Sequence, residues 1–208
     1  MDLEIEQSND DRCKKISDIT FPILKDLKVL ELGPMGGTHF TTNLLGYTSD
    51  VTVVEFDLFA VNYLKRKFPT VKIINKDFNE CLPYVGEFDA VVIYGVLYHS
   101  HAPLKIMEDI ANFVKPKFIL LENVVGLEFK DSVDIWKETP NLHGKRFSDK
   151  KTCNLVINLG QSYYDFALGN LGYEKIDEFD VAKDEYLMST PGELKKPAYY
   201  STWKLISG

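Results

Sequence analysis

The sequence contains no long apolar run. No stretch approaches the roughly 18 residues that a membrane-spanning helix needs, so a helical membrane span is excluded. Cysteine is scarce, with three in 208 residues. Cys13, Cys81 and Cys153 are far apart and form no C-x-x-C pair. That argues against a zinc knuckle or redox dithiol and for reduced thiols in or near a core. The opening residues, 1–15, are acidic and polar and lack the pattern of a secretory signal, which places the chain in the cytoplasm. Positive charge is also short: 24 Lys and Arg stand against 31 Asp and Glu, a net charge of −7. An acidic chain is repelled by polyanions, which disfavours broad, non-specific contact with nucleic acid. Lys145, Arg146, Lys150 and Lys151 form a small basic cluster, a pattern that more often marks a solvated loop.

What remains is an ordinary globular composition, 45% hydrophobic and 26% charged. A chain of this length suits one α/β core, so residues 1–208 are read as a single domain. Residues 2–20 read as a weakly amphipathic helix with Ile5, Ile16 and Ile19 facing inward, part of an N-terminal helical cap over 1–25. Pro22 marks a break. Strand and helix signals then alternate. Strands are expected over 28–32, 51–55, 71–74, 88–94 and 118–121, and helices over 38–45, 58–68 and 103–113. This rhythm implies right-handed βαβ units and a parallel sheet. A polar stretch of weak periodicity, 123–153, reads as a lid or substrate segment. A helix over 159–171 follows, then strands over 173–180 and 199–206 that suit an antiparallel hairpin at the end of the sheet.

The most informative stretch is Glu31-Leu-Gly-Pro-Met-Gly-Gly-Thr38. It lies between the first strand and the next helix, where open α/β sheets bind ligands. Gly33 permits a tight turn, and Gly36 and Gly37 permit close approach of a ligand and of the helix. Glu55 ends the second strand, 22 residues after Gly33, where a carboxylate can accept hydrogen bonds from ribose hydroxyls. The structural alternative is a solvated strand-end charge. The second glycine slot of the dinucleotide pattern G-x-G-x-x-G holds Met35, which weakens nicotinamide and flavin readings. Glu31 disfavours a pyrophosphate and suits a ligand with a cationic end.

On these residues the chain resembles the Rossmann-like (class I) S-adenosylmethionine (SAM) dependent methyltransferase superfamily. Its first motif matches 29–37, its ribose acid matches Glu55, its adenine-side acid matches Asp77 in Asn75-Lys-Asp-Phe78, and its fourth motif matches 88–99. The resemblance spans about residues 28–122. It implies a doubly wound, mostly parallel seven-stranded sheet with an antiparallel terminal strand and helices on both faces. It further implies SAM as cofactor, held by Glu31, Gly33, Pro34, Gly36, Gly37, Glu55, Phe56, Asp77, Phe78, Tyr94 and Gly95. Pro34 and Met35 depart from the commonest form of the first motif.

The residues after the fourth strand, Tyr94-Gly95-Val96-Leu97-Tyr98-His99-Ser100-His101, lie beside the sulfonium in this fold. Methyl transfer needs alignment and a base for the acceptor's proton. Tyr98 can line the acceptor pocket and His99 can act as the base. A structural role for His99, bonded to backbone at the strand-to-helix turn, stands equally beside that one. His101 reads as an exposed helix-start residue, and a His99/His101 metal pair has no third ligand, so no metal is expected. Asp89 reads as an anchor of the fourth strand. Glu122 and Asn123 can orient an acceptor or pair with backbone. Trp136, His143 and Arg146 fall in the lid segment, with His143 a second candidate base. Acceptor selectivity is expected in that segment, in residues 1–20 and in 184–198.

The Asp/Asn-Pro-Pro-aromatic run of DNA amino-methyltransferases is absent. No cysteine lies where a carbon-5 cytosine nucleophile would be. The expected acceptor is therefore an oxygen or nitrogen of a small molecule, glycan or peptide. An RNA-modifying enzyme and a non-catalytic SAM-fold binding protein are the alternatives.

Overall fold

The computed structural model describes residues 11–37, 39–124, 131, 133–138, 154–180 and 198–206. Seven strands form one mixed sheet, hydrogen-bonded in the order β3-β2-β1-β4-β5-β9-β8: β1 Val29–Leu32, β2 Val51–Val54, β3 Lys72–Ile74, β4 Ala90–Ile93, β5 Phe118–Val124, β8 Tyr173–Asp180 and β9 Ala198–Leu205. A second, two-stranded sheet pairs β6 (Val133–Glu138) with β7 (Asn154–Leu159). By contacts the chain divides into two compact units, Met1–Tyr94 with Asp109–Leu121, and Gly95–Glu108 with Glu122–Gly208.

In the first unit β1 pairs in parallel with β2 and β4, β2 with β3, and β4 with β5. Every residue of β1, β2 and β4 is buried, the pattern of strands covered on both faces. Edge strand β3 is partly exposed. Strand order reverses at β1, so the carboxyl ends of β1 and β4 flank the crevice where such sheets take ligands.

The helices follow from their punctuation. Helix α3 (Leu58–Lys67) starts at Asp57, whose carboxylate accepts from the Phe59 and Ala60 N–H groups at 2.8 and 3.0 Å. Lys65, Arg66 and Lys67 occupy its last turn, favourable to the helix dipole. It buries Ala60, Val61 and Leu64. Helix α2 (Thr41–Leu44) is shorter than the expected 38–45, because Gly37 is still left-handed (φ +64°). Thr38 lies outside the described residues.

Helix α1 (Asp11–Thr20) buries Cys13, Ile16, Ser17 and Thr20. The inward placement of Ile19 is wrong: it is 47% exposed. The buried face instead carries two hydroxyls that can satisfy themselves, Ser17 donating to the Cys13 carbonyl and Thr20 to the Ile16 carbonyl. Ile5 lies outside the described residues.

In the second unit β6 and β7 pair antiparallel, from Val133↔Leu159 to Glu138↔Asn154. Neither strand is among those expected from the sequence; β6 falls within the 123–153 stretch and β7 follows it. The alternation Val-Asp-Ile-Trp-Lys-Glu is only six residues long and its apolar members Val133 and Ile135 are 43% and 59% exposed, so it carries little amphipathic signal. Leu159 closes β7 rather than opening a helix, and helix α6 runs over Gln161–Asn170. Strands β8 and β9 pair antiparallel with a bulge between Lys175 and Asp177. Lys175 fastens this hairpin to α6, reaching Asp165 at 3.0 Å and Glu178 at 2.8 Å, while the Tyr199 hydroxyl donates to Glu178. The side chain of Trp136, residues His143, Arg146 and the Lys145–Lys151 cluster, and 184–197 lie outside the described residues.

Candidate active site

The first unit builds its candidate site from the loop between β1 and α2. The Gly33 N–H continues the ladder to the Val54 carbonyl at 2.8 Å, and Gly33 then turns left-handed (φ +61°). Met35 is also left-handed (φ +52°), a conformation that costs an L-residue about 1–2 kcal/mol. Its N–H is held by the Glu55 carboxylate at 2.9 Å. Gly37 closes the turn by donating to the Pro34 carbonyl at 2.9 Å. A Cβ on Gly37 would lie 2.7 Å from Leu64, 2.8 Å from Phe68 and 2.9 Å from Thr41. Gly37 thus serves the close approach of loop and α3, while Pro34 is half-buried and Gly36 buried.

Two buried carboxylates flank this loop. Glu31 points from the interior of β1, is 3% exposed, and accepts from the Thr41 hydroxyl at 2.7 Å. Burial pushes its carboxyl up to about 7, the Thr41 hydrogen bond opposes that, and the nearby Glu55 charge adds to it. Glu55 follows β2 and accepts from Met35 N–H on one oxygen and Asp57 N–H (2.8 Å) on the other. Burial raises its affinity for a proton and those backbone donors oppose the rise. Each carboxylate oxygen has two lone pairs, so acceptor capacity remains for further donors.

Asn75 ties the carboxyl end of β3 to that of β2, its amide donating to the Glu55 and Phe56 carbonyls at 3.0 and 3.1 Å. Two residues on, Asp77 caps the short helix α4 (Phe78–Cys81), accepting from Asn79 N–H at 2.9 Å. Phe78 is half-buried beside it, and Phe56 is 44% exposed. Tyr94, just past β4, is buried in an aromatic cluster: it stacks on Phe21 at 5.9 Å and meets the edge of Phe40 at 4.8 Å. Asp89 anchors the start of β4, accepting from Lys28 N–H and pairing with Lys117 at 3.0 Å. Thr41 and Asn75 were missed from the sequence. Each acts through a hydrogen bond across 10 or 20 residues, which no local pattern encodes.

In the second unit Gly95 is left-handed (φ +73°). A 3-10 turn over Leu97–His99 follows, placing the Tyr98 and His99 rings 4.3 Å apart, both half-buried. Ser100, buried, ends the turn. Its hydroxyl accepts from Ala102 N–H at 3.0 Å, and its carbonyl accepts from Ile157 N–H of β7. His101 is exposed at the entry to helix α5 (Pro103–Asp109). Glu122, 7% exposed, directs a carboxylate oxygen at Gly95. Among the described residues no group of three or more His, Cys, Asp or Glu is placed to hold a metal ion. Among them, too, no helix is long and apolar enough to cross a membrane.

Comparison with known proteins places this architecture. The methyltransferase-domain family model matches residues 5–157, and the chain belongs to that family. It has the Rossmann-like fold of the class I SAM-dependent methyltransferases. Among solved structures it is similar to the N-terminal domain of EvdMO1 with S-adenosylhomocysteine (SAH) bound, at 20% identity and TM-score 0.62, covering 97% of this chain and 82% of that one. It is similar to the Burkholderia thailandensis 1,6-didemethyltoxoflavin-N1-methyltransferase bound to 1,6-didemethyltoxoflavin and SAH, at 15% identity and TM-score 0.66, covering 96% and 80%. The glycopeptide N-methyltransferase MtfA, complexed with SAM, is similar at 13% identity and TM-score 0.62, covering 97% and 96%. A curated relative is the ribosomal RNA small subunit methyltransferase A of Parabacteroides distasonis, 43% identical over 79 residues. That match covers 37% of this chain and 26% of the relative's length.

Proposed function

We propose that the chain transfers a methyl group from SAM to an oxygen or nitrogen of a small-molecule, glycan or peptide acceptor. The observation that carries the reading is the pair of buried carboxylates, Glu31 and Glu55, flanking a left-handed glycine loop at the strand-order switch. The residues fit that cofactor. Glu31, buried beside the loop, disfavours a pyrophosphate and suits a ligand that carries an ammonium and a sulfonium. Met35 fills the slot that a dinucleotide loop leaves to glycine.

In this reading Glu55 takes the ribose hydroxyls, with Phe56 beside it. Asp77 and Phe78 take the adenine. Gly33, Pro34, Gly36 and Gly37 give the backbone approach, and Glu31 faces the amino-acid end. Tyr94 and Gly95 lie along the ligand, Tyr98 lines the acceptor side, and His99 accepts the acceptor's proton. The family match at 5–157 runs through parts of both units, which supports reading them as one methyltransferase domain.

A second reading is an RNA acceptor, favoured by the 79-residue similarity to a ribosomal RNA enzyme and opposed by the net charge of −7. Calorimetric titration of ligand-free protein with SAM, SAH and NAD tests the cofactor. Micromolar binding of both adenosyl ligands without an NAD response is expected. Folded protein that binds neither adenosyl ligand refutes the reading. Salt-sensitive binding of folded RNA, with methyl incorporation, would move the RNA acceptor to the front.

A further inference from the structure

Helix α3 buries Ala60, Val61 and Leu64. At about 3.6 residues per turn, its opposite arc carries Leu58, Phe59, Asn62, Lys65 and Arg66, and all five are exposed. Two of them are apolar: Leu58 is 60% and Phe59 68% exposed, consecutive residues at the start of the helix. The far end of the same stripe is basic. Edge strand β3 opens at exposed Lys72, which the short 68–71 connection keeps at the same end of the unit as Lys65 and Arg66. Among the described residues no ion pair engages Lys65, Arg66 or Lys72. Lys67 differs, lying over the Phe68 and Tyr63 rings at 5.2 and 5.8 Å. Residues 56–76 hold five Lys and Arg against one acid, in a chain whose net charge is −7. That acid, Asp57, is engaged in capping α3.

We propose that the outer face of α3 docks on an anionic lipid bilayer, with Leu58 and Phe59 entering the acyl boundary and Lys65, Arg66 and Lys72 meeting phosphate headgroups. This surface lies wholly within the first unit and is independent of the methyl-transfer reading. Leucine and phenylalanine beside Lys and Arg on one exposed helix face is the composition of helices that lie in a membrane interface. Each kind of side chain is favoured at its own depth there. The apolar pair leaves water, and the cations meet a negative surface potential. Long Lys and Arg stems let the charged heads stay at the headgroups while the helix sits lower.

Charge and shape select this partner over others. The net charge of −7 sets a field against every polyanion, so the local cations suffice only where the apolar pair is favoured too. RNA attracts the cations and can stack a base on Phe59, but Leu58 has no π-face to offer it. A tight protein partner needs pockets that desolvate its anchors, whereas the outer face of a single helix is convex. A fluid bilayer deforms around a convex surface and accommodates both kinds of side chain. The face is one ten-residue helix and an edge-strand lysine, so the association is reversible and depends steeply on anionic lipid and on salt.

The test sediments the full chain with sucrose-loaded vesicles of phosphatidylglycerol and phosphatidylcholine in equal parts, and with vesicles of phosphatidylcholine alone. The chain should partition onto the anionic vesicles and not onto the neutral ones. Raising the salt from about 0.05 M to about 0.5 M should lower the partition coefficient by about tenfold or more. The paired change Lys65→Gln with Arg66→Gln should lower it about tenfold. Leu58→Ser with Phe59→Ser should do the same. All four side chains are exposed, so both variants should keep the wild-type melting temperature. Wild-type chain that stays off the anionic vesicles, or a partition that neither pair of changes reduces, would overturn the proposal. A partition lowered by the cation pair and untouched by the apolar pair would mark a general polyanion surface, open to RNA, and would overturn it as well.

Discussion

Replacing Glu31 by glutamine keeps the shape of the side chain and an acceptor for the Thr41 hydroxyl 2.7 Å away, while removing one negative charge. In the ligand-free protein that charge is poorly supported. Burial disfavours the ionised form, the Thr41 hydroxyl that donates to it is neutral, and the Glu55 charge adds to the rise, so the carboxyl is pushed up to about 7. A ligand ammonium placed against it holds it ionised. A group half protonated at pH 7 then releases about 0.5 proton per SAH bound there, and about 0.1 at pH 8. Between pH 6 and pH 8 the affinity for SAH should rise about tenfold, roughly 1.4 kcal/mol. Calorimetry in phosphate and in Tris, whose ionisation heats differ, reads the released proton directly. Glu31→Gln should bind SAH more weakly, with no proton release and no pH slope.

Folding stability should show the opposite trend. The folded carboxyl titrates above its ordinary 4.5, so the native state holds more protons than the unfolded chain between about pH 4.5 and 7. Stability therefore falls as pH rises through that window, by about 3 kcal/mol in all. The glutamine variant should lose this slope and be the more stable protein in urea at pH 8. Proton release unchanged in Glu31→Gln, or a stability slope that survives it, would refute the assignment of the titrating group.

Five further outcomes follow from the structure. Glu55→Ala should weaken SAM binding by about 1–3 kcal/mol in equilibrium titration, since it removes both a charged acceptor and the partner of Met35 N–H. Gly37→Ala should cost about 2–4 kcal/mol through overpacking and left-handed strain, read as a fall of roughly 10 °C in the melting temperature. Gly86→Ala, at φ +88° with open space around it, should cost only about 1 kcal/mol. Lys175→Met should cost about 1 kcal/mol in urea titration, because its carboxylate partners are 39% and 55% exposed and screened. His99→Ala should lower kcat with SAH affinity unchanged, and an unchanged pH profile of turnover would remove His99 from proton transfer.

Much of the parallel sheet was legible because its strands are short, mostly apolar and separated by helices with clear stops, as Pro69 after α3 and the glycines after β1 illustrate. Glu31 and Glu55 stood out because an acid within or just after a short apolar strand is unusual without a ligand. What local pattern could not supply was the wiring. Glu55 holds the N–H of Met35 across 20 residues, and Thr41 supports Glu31 across 10. Glu122 was visible as a strand-end acid, but its approach to Gly95 depends on tertiary packing. Ile19 misled because helical spacing alone does not say which face is covered, and the true inner face is half hydroxyl. Strands β6 and β7 were missed because a two-stranded ribbon with exposed Val133 and Ile135 has almost no amphipathic signature.

The central claim is that the glycine loop and its two flanking acids hold the methyl donor. A crystal structure of the full chain grown with SAH tests it most directly. The account predicts the ribose hydroxyls within hydrogen-bond distance of the Glu55 carboxylate and the amino-acid end directed toward Glu31. SAH bound elsewhere, or bound at the loop with its ribose away from Glu55, would contradict it.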